Sequence, residues 1–310
     1  MTDISHTNEA KAPDSALASL SSPPPPSYAQ TLLFGPDGLR PGWGLAIYIL
    51  LFFGLEVLAG EWEGSWSLGA LRALGLGKVV DVLACIIPAL VLMRIERRPW
   101  RDYGLPLRQA FGKLFWVGAV WGFIGISVLI AALYGSHVFA FGHVVLHGLR
   151  IARFAGFWAA MFLLVALFEE FLFRGYTQFT LARGIRFWPA AVSLTCVFSL
   201  IHRGNIGETW LGLLAVAAIG FFFCLTLRRT GSLWFAVGFH AAWDWGETFF
   251  YSVPDSGMVA PGHLLSSSFH GPAWLTGGTA GPEGSVVCFV VIAAAWVAFD
   301  RVYPRANSSE

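Results

Sequence analysis

Phe168-Glu169-Glu170-Phe171-Leu172-Phe173-Arg174-Gly175-Tyr176 sets two adjacent carboxylates and an arginine inside a segment, 154–181, that is otherwise almost wholly apolar. Ionisable side chains at membrane depth cost roughly 2.5–3.5 kcal/mol each on insertion scales, so they persist where they pair with one another or do chemistry. On a helix of 3.6 residues per turn, Glu170 and Arg174 fall one turn apart on the same face and are expected to form an ion pair. Glu169 points about 100° away and has Phe173 at i+4, which cannot neutralise it. Its partner has to come from another helix.

The rest of the chain supplies the membrane context for that segment. Of 310 residues, 56% are hydrophobic and only 13% charged, with a mean hydropathy of +0.63. A soluble domain carries about 25% charged residues. Eight apolar runs, roughly 43–60, 79–95, 114–134, 154–181, 187–203, 210–227, 232–250 and 285–300, approach the roughly 20 residues a spanning helix needs, the fifth and eighth being short. They predict an all-α polytopic membrane protein of about eight transmembrane helices over 43–303. Residues 1–42, with Pro23 to Pro26 in a row, lack the apolar residues of a core and are expected to be a disordered cytoplasmic tail. They show no basic stretch followed by an apolar one, so no secretory signal is read there. A net charge of +1 points to no nucleic acid as partner. The four cysteines, Cys85, Cys196, Cys224 and Cys288, lie in different runs without CxxC spacing and are expected as small buried hydrophobes.

Orientation follows from Lys and Arg. With a cytoplasmic N-terminus, only Arg72, Lys78, Arg150, Arg153 and Arg203 fall on the far side, and the remaining cations outside the membrane fall on the near side. Both termini are therefore expected in the cytoplasm, in a multi-pass protein of the cell (inner) membrane if the source is bacterial. The longest outer connection, Tyr251 to Gly284, has no Lys or Arg.

Two further runs carry polar groups where lipid-facing residues would be apolar. The fifth ends Phe198-Ser199-Leu200-Ile201-His202, and the seventh holds His240-Ala241-Ala242-Trp243-Asp244. His240 and Asp244 share a face, so Asp244 is expected to orient the imidazole or share its work. A single histidine in a helix is more often a packing residue. Glu169, His202 and His240 on three different helices instead point to one shared polar site in a hydrated cavity.

In this order and spacing, Glu169-Glu170 with Arg174, Phe198 with His202, and His240 with Asp244 resemble the CPBP intramembrane proteases. These comprise type II CAAX prenyl endopeptidases and bacteriocin-processing or immunity-associated relatives. The likeness covers about residues 154–250, and Gly281-Pro282-Glu283-Gly284 before the last run also fits. It implies a protease core at about 154–300 and an intramembrane endopeptidase hydrolysing a peptide bond of a membrane-associated peptide or protein, CAAX-type C-terminal processing among the candidates. The implied site is Glu169, Glu170, Arg174, His202, His240 and Asp244, with membrane lipid as the other partner. Asp244 stands where CAAX endopeptidases have Asn, which adds a negative charge.

Glu169 would serve as general base and hold a water with His202, while His240 stabilises the oxyanion or protonates the leaving amine. Zinc is the one candidate cofactor, held by Glu169, His202 and His240 with one position open. HExxH is absent, and Glu169 cannot easily be ligand and base at once, which favours metal-independent water activation. Rival readings are a proton-coupled transporter, which would be expected to show a repeat that is not found, and a catalytically silent immunity or scaffold protein, which could lose motif residues that are all present here.

Overall fold

The computed structural model describes residues 27–36, 38–63, 69–205, 207–257 and 261–304. Of the expected tail, residues 1–26 and 37 lie outside the described residues. The remainder holds a short helix α1 (Tyr28–Leu33), a two-residue hairpin of β1 (Phe34–Gly35) and β2 (Gly38–Leu39), and the start of α2 (Pro41–Glu63). Ser27 and Gln30 cap α1 reciprocally, each side chain bonding the other's backbone N–H.

From α2 onward the chain is a helical membrane protein. In hydrocarbon every backbone N–H and C=O must be satisfied within the segment, so apolar runs of this length become helices. After α2 come α3 (Ala70–Glu96), α4 (Lys113–Gly135), α5 (Leu149–Arg174), α6 (Tyr176–Ile185), α7 (Phe187–His202), α8 (Trp210–Thr230) and α9 (Trp234–Trp245). A π turn, Gly246–Phe250, prolongs α9, and α10 (Ala273–Thr276) and α11 (Val286–Val302) complete the order. Large side chains of α2 such as Leu50, Phe53, Val57 and Leu58 are exposed, which for a membrane helix is its lipid face. More of α8 is buried than of any other long span among the described residues.

Length separates these helices from the eight expected spans. Among the described residues, five segments are long and apolar enough to cross: α2, α3, α4, α5 running on through α6, and α8. The other three, α7, α9 and α11, have 16, 12 and 17 residues. The expected run 154–181 is also broken. Helix α5 stops at Arg174 because the chain turns at Gly175, where a Cβ would meet the Phe171 carbonyl oxygen at 2.4 Å. Cysteine placement differs at one position: Cys85, Cys224 and Cys288 are buried, but Cys196 is exposed on α7.

Helices α4 and α9 touch backbone to backbone. A Cβ on Gly118 or Gly122 would come within 2.1 Å of the carbonyl oxygens of Phe235 and Phe239, and one on Gly238 within 2.1 Å of that of Phe115. Small residues permit this approach, which in a membrane is what van der Waals packing rewards. It fixes α9, and with it His240, against a long helix.

Each end of the bundle is tied. At one end the Glu96 carboxylate accepts from Tyr103 and Tyr176 hydroxyls, both at 2.8 Å, and pairs with Arg183 at 3.0 Å, joining α3, the 97–112 connection and α6. Burial first, then the bond to Glu96, raises the Tyr103 hydroxyl well above its ordinary value. At the other end β3 (Phe139–Ala140) pairs with β4 (Ser268–Phe269), and Val144 bridges to Leu265. The α4–α5 connection and the long segment after α9 therefore share one end.

Candidate active site

Arg174, at the last position of α5, is the hub from which the polar site is built. Its guanidinium is almost completely buried and pairs with Glu170 at 3.1 Å, one turn back. It lies over the Phe198 ring of α7 at 4.2 Å, a cation–π contact. Space for it comes from Gly220 of α8, where a Cβ would sit 2.4 Å from Nη2. One buried cation thus joins three helices.

Each motif partner of Arg174 holds a histidine. Glu170, fully buried, places Oε1 3.0 Å from Nδ1 of His240 on α9. On α7, the Phe198 carbonyl oxygen lies 2.8 Å from Nδ1 of His202, and the two rings pack edge to face at 4.6 Å. A carbonyl only accepts, so His202 carries its proton on Nδ1 and leaves Nε2 with a free lone pair in the neutral ring. The Phe-x-x-x-His spacing therefore does two jobs: the aromatic ring seats Arg174, and its own backbone sets the His202 tautomer.

Glu169 meets the partner from another helix that its position demands. Its Oε2 lies 3.8 Å from Nε2 of His240, and Asp244 Oδ2 lies 3.4 Å from the same nitrogen. The expected orienting role of Asp244 is shared differently, because the short contact to the imidazole comes from Glu170. Asp244 faces the other nitrogen, beside Glu169.

Glu169, His202, His240 and Asp244 line a single cavity of about 560 Å³, while Glu170 and Arg174 stand behind it. Its apolar walls come from Phe162, Val165, Phe223 and Phe239. Lys78 also lines it and pairs with Asp81 at 2.6 Å, although the sequence reading leaves Lys78 as an outer-side cation. Asn205, Asp255, Ser256 and Glu283 complete the polar lining, and none was singled out as a site residue. Glu283 lies in the Gly-Pro-Glu-Gly stretch, and that stretch was the available signal.

The residues offered for zinc do not fit it in this arrangement. Among the described residues, the group of His, Cys, Asp or Glu whose ligand atoms gather within 4.8 Å is Glu247, Asp255 and Glu283, which does not include Glu169, His202 or His240. A three-ligand zinc site needs its donors about 2.0–2.2 Å from one ion. No step is drawn through zinc.

Residues 151–246 match the family model described as Type II CAAX prenyl endopeptidase Rce1-like. The stretch runs from the start of α5 to just past α9 and holds all six motif residues. No curated protein matches the chain, and no solved structure matches it.

Proposed function

We propose that this protein is an intramembrane endopeptidase of the CAAX prenyl endopeptidase type, hydrolysing a peptide bond of a membrane-associated substrate with water activated by Glu169 and His202. The observation that carries this reading is one cavity within a membrane helix bundle that gathers a carboxylate and two histidines from three helices. Glu169 takes a proton from water as the oxygen attacks the carbonyl carbon, then returns it to the leaving nitrogen. His202, its tautomer set by Phe198, accepts a hydrogen bond from the same water at Nε2. His240 donates from Nε2 to the oxyanion while Nδ1 stays bonded to Glu170. Glu170 and Arg174 position this ring and do not touch substrate. Both termini are assigned to the cytoplasm on the charge bias.

The test is cleavage of labelled membrane-associated peptides, prenylated CAAX peptides among them, by the purified protein. Wild type is expected to release a product with one new carboxyl and one new amino terminus, and Glu169→Gln to fold and release none. Equal cleavage by Glu169→Gln and wild type would overturn the assignment. Loss of wild-type cleavage on chelation, restored by zinc, would overturn the metal-free chemistry alone.

A further inference from the structure

Beyond the proposed catalytic groups, the same end of α9 gathers a second set of acids. Glu247 sits in the π turn, Asp255 in the connection that follows, and Glu283 in the short 3-10 turn before α11. One oxygen from each lies within 4.8 Å of the others. The Trp243 indole N–H is shared between Glu247 Oε2 and Glu283 Oε1, both at 2.9 Å. Thr248 donates to Asp255 at 3.1 Å and Ser256 to Glu283 at 3.4 Å.

These neutral donors leave the charge unanswered. Glu247 is fully buried, and its Oε1, on the side chain that meets the other two acids, has no hydrogen-bond partner. Among the described residues none of the three acids makes an ion pair, and the basic groups around the cavity face other carboxylates: Arg174 pairs with Glu170, Lys78 with Asp81, and His240 faces Glu170, Asp244 and Glu169. Asp244 and Glu169 add further carboxylates to the cavity that Asp255 and Glu283 line. Glu247 is fully buried and Asp255 and Glu283 are half-buried, and a buried carboxylate without counter-charge costs several kcal/mol, so this cluster calls for a cation or for protons.

We propose that Glu247, Asp255 and Glu283 form a binding site for a hard divalent cation of the calcium–magnesium class, which clamps the Tyr251–Gly284 connection and the start of α11 onto the end of α9. An all-carboxylate donor set selects hard, oxygen-seeking ions over zinc, which favours nitrogen and sulfur. Spacing agrees: oxygens on opposite sides of an ion at 2.3–2.6 Å stand about 4.6–5.2 Å apart, which spans the limit within which these three gather. The clamp acts on Trp243, whose indole already bridges two of the ligands one position before Asp244. It does not depend on the protease reading, since it needs neither Glu169 nor His202.

The test uses the full chain in detergent micelles, freed of metal with a chelator and dialysed. Calcium or magnesium is expected to raise the Tm saturably, by roughly 5 °C or more at a hundredfold excess over Kd. Terbium, a calcium probe, is expected to luminesce through excitation of the adjacent Trp243 at one ion per chain and to be displaced by calcium. Glu247→Gln combined with Asp255→Asn should abolish both responses, whereas Asp81→Asn, a carboxylate paired elsewhere, should keep them. Should the double variant fail to fold, the terbium stoichiometry of wild type and of Glu283→Gln decides between the outcomes. Binding retained in the double variant, a response to zinc alone, or a wild type indifferent to every divalent ion would each overturn the site; the last would leave shared protons as what holds the acids.

Discussion

Gly220→Ala tests whether His240, the proposed oxyanion donor, is held through a chain of buried contacts that starts on a helix bearing no motif residue. A methyl group at Gly220 would lie 2.4 Å from Arg174 Nη2, 3.3 Å from the Phe198 ring and 3.4 Å from Thr195. Ordinary contact needs about 3.5 Å, so the guanidinium must retreat by roughly 1 Å. Phe198 lies against it and Glu170 holds Nη1 at 3.1 Å, and a further ångström takes that bond out of hydrogen-bonding range. Complete separation of a buried pair costs about 3–5 kcal/mol, and weakening one charged hydrogen bond about 1.5–3 kcal/mol. Since the side chain can turn without complete separation, the lower range is expected. His240 then loses its fixed anchor, and a misplacement of this size costs about 10²-fold in rate. The assay pairs thermal unfolding in micelles with peptide cleavage, with Gly54→Ala as control because a Cβ there meets nothing within 4 Å. Wild-type stability and rate in Gly220→Ala would refute the confinement of Arg174 and the route from it to His240.

Glu169→Gln and His202→Ala should each lower the cleavage rate by about 10²–10⁴, and the double variant should lose little more than either, because both act on one water. Multiplicative losses in steady-state cleavage would break the shared-water mechanism. Phe198→Leu removes the ring beneath Arg174 but keeps the carbonyl that sets His202, so it should destabilise the fold by about 1–3 kcal/mol in thermal or denaturant unfolding. A reporter fused after Arg98 is expected on the cytoplasmic side of the membrane and one after Gly271 on the other, as scored by compartment-specific labelling. Burial holds the His263 imidazole below its ordinary value. Its contribution to stability is therefore complete above pH 6.5 and lost as pH falls through the lowered value, and His263→Asn should flatten that part of a Tm-against-pH profile.

What could be read from the sequence divides by the range of the contact. Glu170 with Arg174 and His240 with Asp244 are one turn apart, and helix geometry alone predicts that each pair shares a face. Contacts between helices were not legible. That Glu170 reaches His240, 70 residues away, depends on the glycine-mediated approach of α4 and α9 and on the packing of α5 against α9, which no local pattern encodes. Hydropathy likewise marked α9 as a run ending at 250, but the last five residues form a π turn that swings Glu247 into the interior. A connection without Lys or Arg was read as an outer loop. Its acids, Asp255 and Glu283, line the same cavity as the motif residues, a contact that charge counting does not reveal.

Asp244 connects the two halves of the site. Where a neutral amide could donate a hydrogen bond to an oxyanion, an ionised carboxylate can only accept, so the proposed mechanism gives the donor role to His240. That ring faces Glu170 from one nitrogen and Asp244 with Glu169 from the other, so each nitrogen meets a carboxylate acceptor, and the proposed mechanism needs the N–H on the Asp244 side for the oxyanion. The same charge at 244 adds to the acids at 247, 255 and 283, which a neutral residue would not do. An aspartate here and a cation among its neighbours are therefore linked: each added negative charge raises both the cost of leaving the cluster bare and the affinity for the ion that relieves it. Asparagine at 244 would lower both together, so a change of one side-chain atom beside His240 is expected to be felt in the connection after α9.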